Sequence, residues 1–87
     1  MSYSLEIGYK ADGMFKRMKK KDRQRLNMIN RKVEEILLNP SHYKPLRGDL
    51  HGARRVHIGG SFVLLFEVDE KNRIVRLLDF GHHDKIY

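Results

Sequence analysis

The residues best able to do chemistry lie in the last third of the chain. His57 falls in the segment ARRVHI (53–58), beside Arg54 and Arg55, and His82 and His83 fall in the ending GHHDKIY (81–87). Imidazole ordinarily titrates near pH 6.5, so it can give and take protons at neutral pH. The planar fork of an arginine meets two phosphate oxygens at once. With the phenol of Tyr87, this set suits cleavage of RNA without a metal ion. A base takes the proton of a ribose 2′-OH, a cation stabilises the charge growing on phosphate, and an acid protonates the departing 5′-oxygen. Acid–base help contributes about 10²–10⁴-fold, and stabilisation of the phosphate charge often contributes more.

Plainer readings apply to the same residues. A single strand histidine is commonly structural or merely exposed. Histidines at a chain end can belong to a solvated tail. Adjacent histidines alternate in direction, and His57, His82, His83 and Asp84 show no diagnostic ligand spacing, so no metal and no cofactor is expected. What decides is the set of elements that carry them.

Residues 3–9, YSLEIGY, alternate with Tyr3, Leu5 and Ile7 on one side, as a half-buried strand does. A short helix is expected over 11–19, with Met14, Phe15 and Met18 as its apolar side. In the following segment Leu26, Ile29, Val33, Ile36 and Leu37 form one face of an amphipathic helix. Asp22 near its start favours the helix dipole, and Asn39-Pro40 stops it. Residues 41–52 read as loop. Strands are expected at 53–58, 61–68 and 73–80, the first two joined by a two-residue Gly59-Gly60 hairpin. The continuous apolar run Phe62 to Phe66 calls for a central strand covered on both faces.

The order β-α-α-β-β-β predicts an α+β fold, a two-helix hairpin packed on a four-stranded, mainly antiparallel twisted sheet. Strand parity puts Val56 and Ile58 toward the helices, and Arg55 and His57 on the opposite, bare face. Gly81 would permit a sharp turn, and a hairpin meander would carry the tail toward the end of the sheet. Eighty-seven residues suit one domain, 1–87, with one small core.

The formal charge of +7 and the absence of cysteine narrow the classes further. A polyanion partner is favoured, and disulfides and thiolate metal sites are excluded. No apolar run is long enough to span a membrane and no signal-peptide pattern opens the chain, so a cytoplasmic protein without membrane contact is expected. Lys10, Lys16, Arg17, Lys19, Lys20, Lys21, Arg23 and Arg25 are opposed over their span only by Asp12 and Asp22. Such a run is either a solvated helix face or a phosphate-binding surface whose affinity falls with salt. Lys44, Arg47, Arg54 and Arg55 form a second basic group.

Taken in order, Pro45-Leu46-x-Gly48, Gly52-x-Arg54-x-x-His57, Leu64-Leu65-Phe66 and Gly81-x-His83-x-x-x-aromatic resemble the RelE/ParE toxin superfamily, nearest its YafQ-like and archaeal RelE-like branches. The resemblance implies a toxin of a type II toxin–antitoxin system. It further implies a metal-independent endoribonuclease that cuts mRNA on the ribosome by attack of the 2′-OH on the adjacent phosphate. By the same resemblance His83 matches the general acid and His57 the histidine at the scissile phosphate. Arg55 matches a phosphate contact and Tyr87 an aromatic that positions the nucleotide. Lys44 falls where YafQ-like proteins carry a further histidine. Lys44, Arg47, Arg54, Lys19, Lys20 and Arg23 are the expected RNA and phosphate contacts. The implied partners are ribosome, mRNA and a cognate antitoxin whose acidic segment wraps the basic toxin, assembled as a toxin–antitoxin heterotetramer.

Ser61 and Phe62 stand where YafQ-like members have an acidic residue and a tryptophan, and Val63 where RelE-like members often have arginine. The base then falls to His57 and the cation to Arg54 or Arg55. Two other functions use the same fold: a ParE-like toxin that inhibits gyrase by binding, and a non-catalytic RNA- or ribosome-binding module.

Overall fold

The computed structural model describes residues 3–43 and 52–86. Its elements are β1 (Ser4–Ile7), α1 (Tyr9–Lys21), α2 (Arg23–Leu38), a short 3₁₀ turn (Pro40–His42), β2 (Ala53–Ile58), β3 (Phe62–Asp69) and β4 (Ile74–His82). The sheet order is β1-β4-β3-β2. β1 runs parallel to β4, and the other two pairings are antiparallel. Two helices on a mostly antiparallel four-stranded sheet is the expected architecture.

The apolar face of α2 drives the packing. Ile29, Val33 and Ile36 are buried against Val56 and Ile58 of β2, Leu64 and Phe66 of β3, and Val75, Leu77 and Phe80 of β4. Asp22 caps α2, its side chain accepting from the Arg25 amide at 3.1 Å and satisfying an N–H with no partner inside the helix. β3 is central, and Val63, Leu64, Leu65 and Phe66 are all buried, as its unbroken apolar run requires.

Several boundaries differ from the sequence reading. The first strand is exposed throughout, with Leu5 at 40% and Ile7 at 45%. It is an edge strand paired on one side only, so it packs less than its alternation suggests. Tyr9 opens α1 instead of closing β1. Gly8 between them donates to the Leu77 carbonyl at 2.7 Å, and a Cβ there would lie 2.8 Å from that oxygen. The connection of β2 to β3 has three residues, because Ile58 pairs with Phe62. Gly59 (φ 65°) and Gly60 (φ 88°) take the left-handed conformations it needs. Pro40–His42 is helical where loop was expected, and positions 44–51 of that loop lie outside the described residues.

The β3–β4 turn is tied by Asp69, which accepts from the Asn72 amide at 3.1 Å and its side-chain nitrogen at 2.9 Å. The Asn72 side chain is the main cause holding the Asp69 carboxyl below its ordinary value of 3.8. A carboxyl lowered on folding stabilises the native state above the ordinary value, and that contribution is lost as pH falls through the lowered one. Asn72→Ala should therefore reduce stability at pH 7 while shrinking the further loss on acidification below about pH 4. Denaturant midpoints at pH 7 and pH 3 check both parts.

Candidate active site

The sheet face opposite the helices is organised in rows. His57, Val63 and Gly81 lie across β2, β3 and β4 in one row, and Arg55, Leu65 and Asp79 in the next. Paired residues share a face, so Arg55 and His57 project away from the helices as strand parity requires. A register shift at Leu65/Phe66 is a bulge that turns Leu78 to this face as well.

The tail covers part of that face. Ile86 is 6% exposed and packs with Val63, Leu65 and Leu78 in a second small cluster, separate from the core under the helices. Gly81 does not make the turn. It remains in β4, and the turn falls at residues 83–85. What Gly81 provides is a seat: a Cβ there would lie 3.0 Å from Ile86 Cδ1. The amides of Lys85 and Ile86 donate to the His82 carbonyl at 2.9 and 3.2 Å, and the His83 amide donates to the Ser61 carbonyl at 2.9 Å. Ser61 belongs to the β2–β3 connection. His83 is thereby tied to the end of the sheet at which His57 stands, with Ile86 seated over the strand between them. Opposite residues on β2 and β4 are about 10 Å apart across two strand spacings.

The tail side chains have their own order. The rings of His82 and His83 stack at 4.5 Å. Asp84 lies 3.4 Å from His82 Nδ1 and 3.1 Å from His83 Nδ1, and the Asp84 amide donates to His82 Nδ1 at 3.2 Å. His82 meets Phe62 edge-on at 5.6 Å, and the guanidinium of Arg25 lies 4.0 Å above that ring. Arg25, Phe62, His82 and His83 therefore form one chain of contacts from the helical hairpin to the tail. Exposed Lys19, Lys20 and Arg23 sit at the tip of that hairpin, where the lysines also favour the C-terminal dipole of α1. The two groups that sequence treats separately, hairpin cations and tail imidazoles, meet at one end of the molecule.

Arg54 has a different job from the phosphate contact expected of it. It lies on the helix side, where its guanidinium donates to the carbonyls of Pro40 (3.0 Å) and Tyr43 (2.8 Å), and its Nε is buried without a partner. Arg55 is half-buried on the bare face. Lys44, Arg47 and Tyr87 lie outside the described residues. Sequence reasoning missed the roles of Arg25, Phe62 and Ile86, and weighed Asp84 only as a ligand beside the histidines. Ile86 had a signal, as the one aliphatic residue in a polar tail; the partnership of Arg25 with Phe62 had none, since the two lie on separate elements far apart in the chain.

Two hollows adjoin these surfaces. One, of about 400 Å³, lies beside the bare face against Gly8, Tyr9, Lys10, Leu65, Leu78 and Asp79. The other, of about 290 Å³, has an apolar floor of Met14, Met18, Phe62 and Phe80 and a rim that includes Arg17, Lys21 and Arg25.

Solved toxins share this arrangement of elements. The YoeB/ParE toxin from Agrobacterium tumefaciens superposes with a TM-score of 0.82 at 15% identity, covering 92% of this chain and 98% of its own. A variant of the E. coli toxin RelE in the free state gives 0.77 at 18% identity, covering 99% and 88%. A YafQ variant from E. coli gives 0.73 at 16%, covering 98% of both chains. The fold is thus that of RelE-like toxins. In sequence, residues 10–87 match the family described as ParE toxin of type II toxin–antitoxin system, parDE. A Methanocaldococcus jannaschii protein named "Putative toxin RelE4" is 48% identical over 98% of this chain and 90% of its own length. The chain belongs to the ParE toxin family, within the RelE/ParE superfamily of type II toxin–antitoxin toxins. No helix among the described residues is long and apolar enough to cross a membrane.

Two substitutions separate framework from site. Arg54→Ala strands two carbonyls and should destabilise the fold by about 2 kcal/mol, seen as a lower denaturant midpoint. Ile86→Ala should cost about 2 kcal/mol and speed carboxypeptidase trimming of the tail, because Ile86 holds it to the sheet.

Proposed function

We propose that this toxin is an endoribonuclease that cuts mRNA on the ribosome. The observation that supports this most is the seating of Ile86, which carries His83 to the end of the sheet where His57 and Arg55 face away from the helices. In the proposed reaction His57 takes the proton of the ribose 2′-OH, and the freed oxygen attacks the neighbouring phosphorus. The P–O5′ bond breaks as His83 gives a proton to the leaving 5′-oxygen. The products are a 2′,3′-cyclic phosphate and a 5′-hydroxyl. Arg55 stabilises the charge on the phosphate oxygens, and Tyr87 positions the nucleotide by stacking. The side chains fill each role without a metal ion. Lys19, Lys20, Arg23, Lys44 and Arg47 serve as phosphate contacts along the RNA, so affinity depends on salt.

The proposed regulator is a cognate antitoxin with an acidic segment, acting in the cytoplasm. Similar folds have been solved with antitoxins, in the intact E. coli RelBE toxin–antitoxin complex and a heterotetrameric YoeB–YefM toxin–antitoxin complex from Staphylococcus aureus. An acidic segment with apolar anchors suits the cation-rimmed groove over Phe62 and Phe80 by charge and by surface.

The match to a family named for ParE favours a second reading, a toxin that inhibits gyrase by binding. That function needs neither imidazole. Expression of the wild type and of His57→Ala and His83→Ala variants, with mapping of mRNA ends, separates the two. The nuclease reading expects ribosome-dependent cuts within codons, reduced about 10²–10⁴-fold in each variant. Toxicity that survives both substitutions, without mRNA cuts, supports the binding toxin.

A further inference from the structure

His82, His83 and Asp84 do more than flank the proposed reaction. One ligand atom from each lies within 4.8 Å of the others, although adjacent side chains would point apart in a regular strand. The turn at 83–85 brings them together. Three backbone hydrogen bonds fix that turn, to the Ser61 and His82 carbonyls, and the buried Ile86 anchors it from beyond. Stacking aligns the two rings, and both Nδ1 atoms face the Asp84 carboxylate. The lone pair of His82 Nδ1 is turned inward, where it accepts from the Asp84 amide.

We infer that this turn is a binding site for a borderline divalent transition metal such as Zn²⁺, with His82, His83 and Asp84 as ligands. Two imidazole nitrogens and a carboxylate form a ligand set of the kind that binds zinc at about 2.0–2.2 Å per ligand and leaves a fourth position open. Asp84 Oδ2 lies 3.4 Å from His82 Nδ1 and Asp84 Oδ1 lies 3.1 Å from His83 Nδ1, so side-chain rotation within the 4.8 Å cluster would close the set around one ion. Hard Mg²⁺ and Ca²⁺ prefer oxygen ligands and are not expected here. The metal replaces the close contacts that now join the three groups. It also takes the imidazole of His83, so metal occupancy and proton transfer by His83 exclude each other. Zn²⁺ is then an inhibitor and not a cofactor. That consequence rests on the nuclease reading, whereas the binding site does not.

The test is titration of the purified chain with Zn²⁺ alone, by calorimetry and against a chromophoric chelator, with thermal unfolding followed in parallel. One equivalent should bind and raise the unfolding midpoint, since a ligand of the folded state alone stabilises it. His82→Ala and Asp84→Asn should each weaken binding by about tenfold or more, while His42→Ala, on the 3₁₀ turn, should not. Mg²⁺ should give no comparable heat. Absence of one-equivalent binding, or binding unchanged in both variants, overturns the assignment. Both variants keep Ile86 and the backbone bonds of the turn, so their unfolding midpoints without metal report whether they are folded. A chain that binds Zn²⁺ through these groups yet cuts no RNA when freed of metal contradicts the nuclease reading and leaves the metal site standing.

Discussion

One aliphatic contact organises the functional end of this molecule. Ile86 lies on Val63 and Leu65 and over the bare backbone of Gly81. Among the described tail residues beyond β4, His83, Asp84 and Lys85 are polar, so the apolar contact that holds the tail to the sheet is that of Ile86. With it, His82, His83 and Asp84 are fixed in a turn bonded to the β2–β3 connection. The gain is modest, as expected for one side chain, but the entropy it opposes is that of only a few residues.

The central strand makes the contact available. Even-numbered residues of β3 from Phe62 to Phe66 face the helices and odd-numbered ones face the tail, so one strand supplies both clusters. The helix side holds the bulk of the core and sets stability. The other side is covered only in part, which leaves Arg55 and His57 beside a buried aliphatic strip on the face turned away from the helices. The sheet end then gathers charge from two elements, because the helical hairpin and the tail both arrive there. Phe62 of β3 joins them, with Arg25 above its ring and His82 against its edge.

Much of this was legible in the sequence. The apolar spacing of α2 and the unbroken run of β3 each reflect a local rule, and those elements came out where the rules put them, while Gly59 and Gly60 lie in a hairpin connection of three residues instead of the expected two. The outward placement of Arg55 and His57 followed from parity alone. Misreadings arose where tertiary position overrides local pattern. Leu5 and Ile7 alternate like a half-buried strand, yet sit at an edge. Gly81 looks like a turn glycine and is instead a strand glycine cleared for the side chain of Ile86. Arg54 was grouped with phosphate contacts by charge, while its partners Pro40 and Tyr43 lie well upstream and carry no sequence mark of the bond. Sequence reading weighed His82, His83 and Asp84 with His57 as ligands and set them aside, because alternation describes a strand and these residues span its end.

The functional end stands on the seating of Ile86 over Gly81, and a double-mutant cycle tests that contact most directly. Gly81→Ala should destabilise the chain, since its methyl group meets Ile86, and should cost little in a chain that already carries Ile86→Ala. Denaturant unfolding of the four proteins should show a coupling energy of about 1 kcal/mol or more, as for residues in contact. Additive effects, within about 0.5 kcal/mol, would mean that the tail does not lie on this face in solution, and the site built upon it would be contradicted.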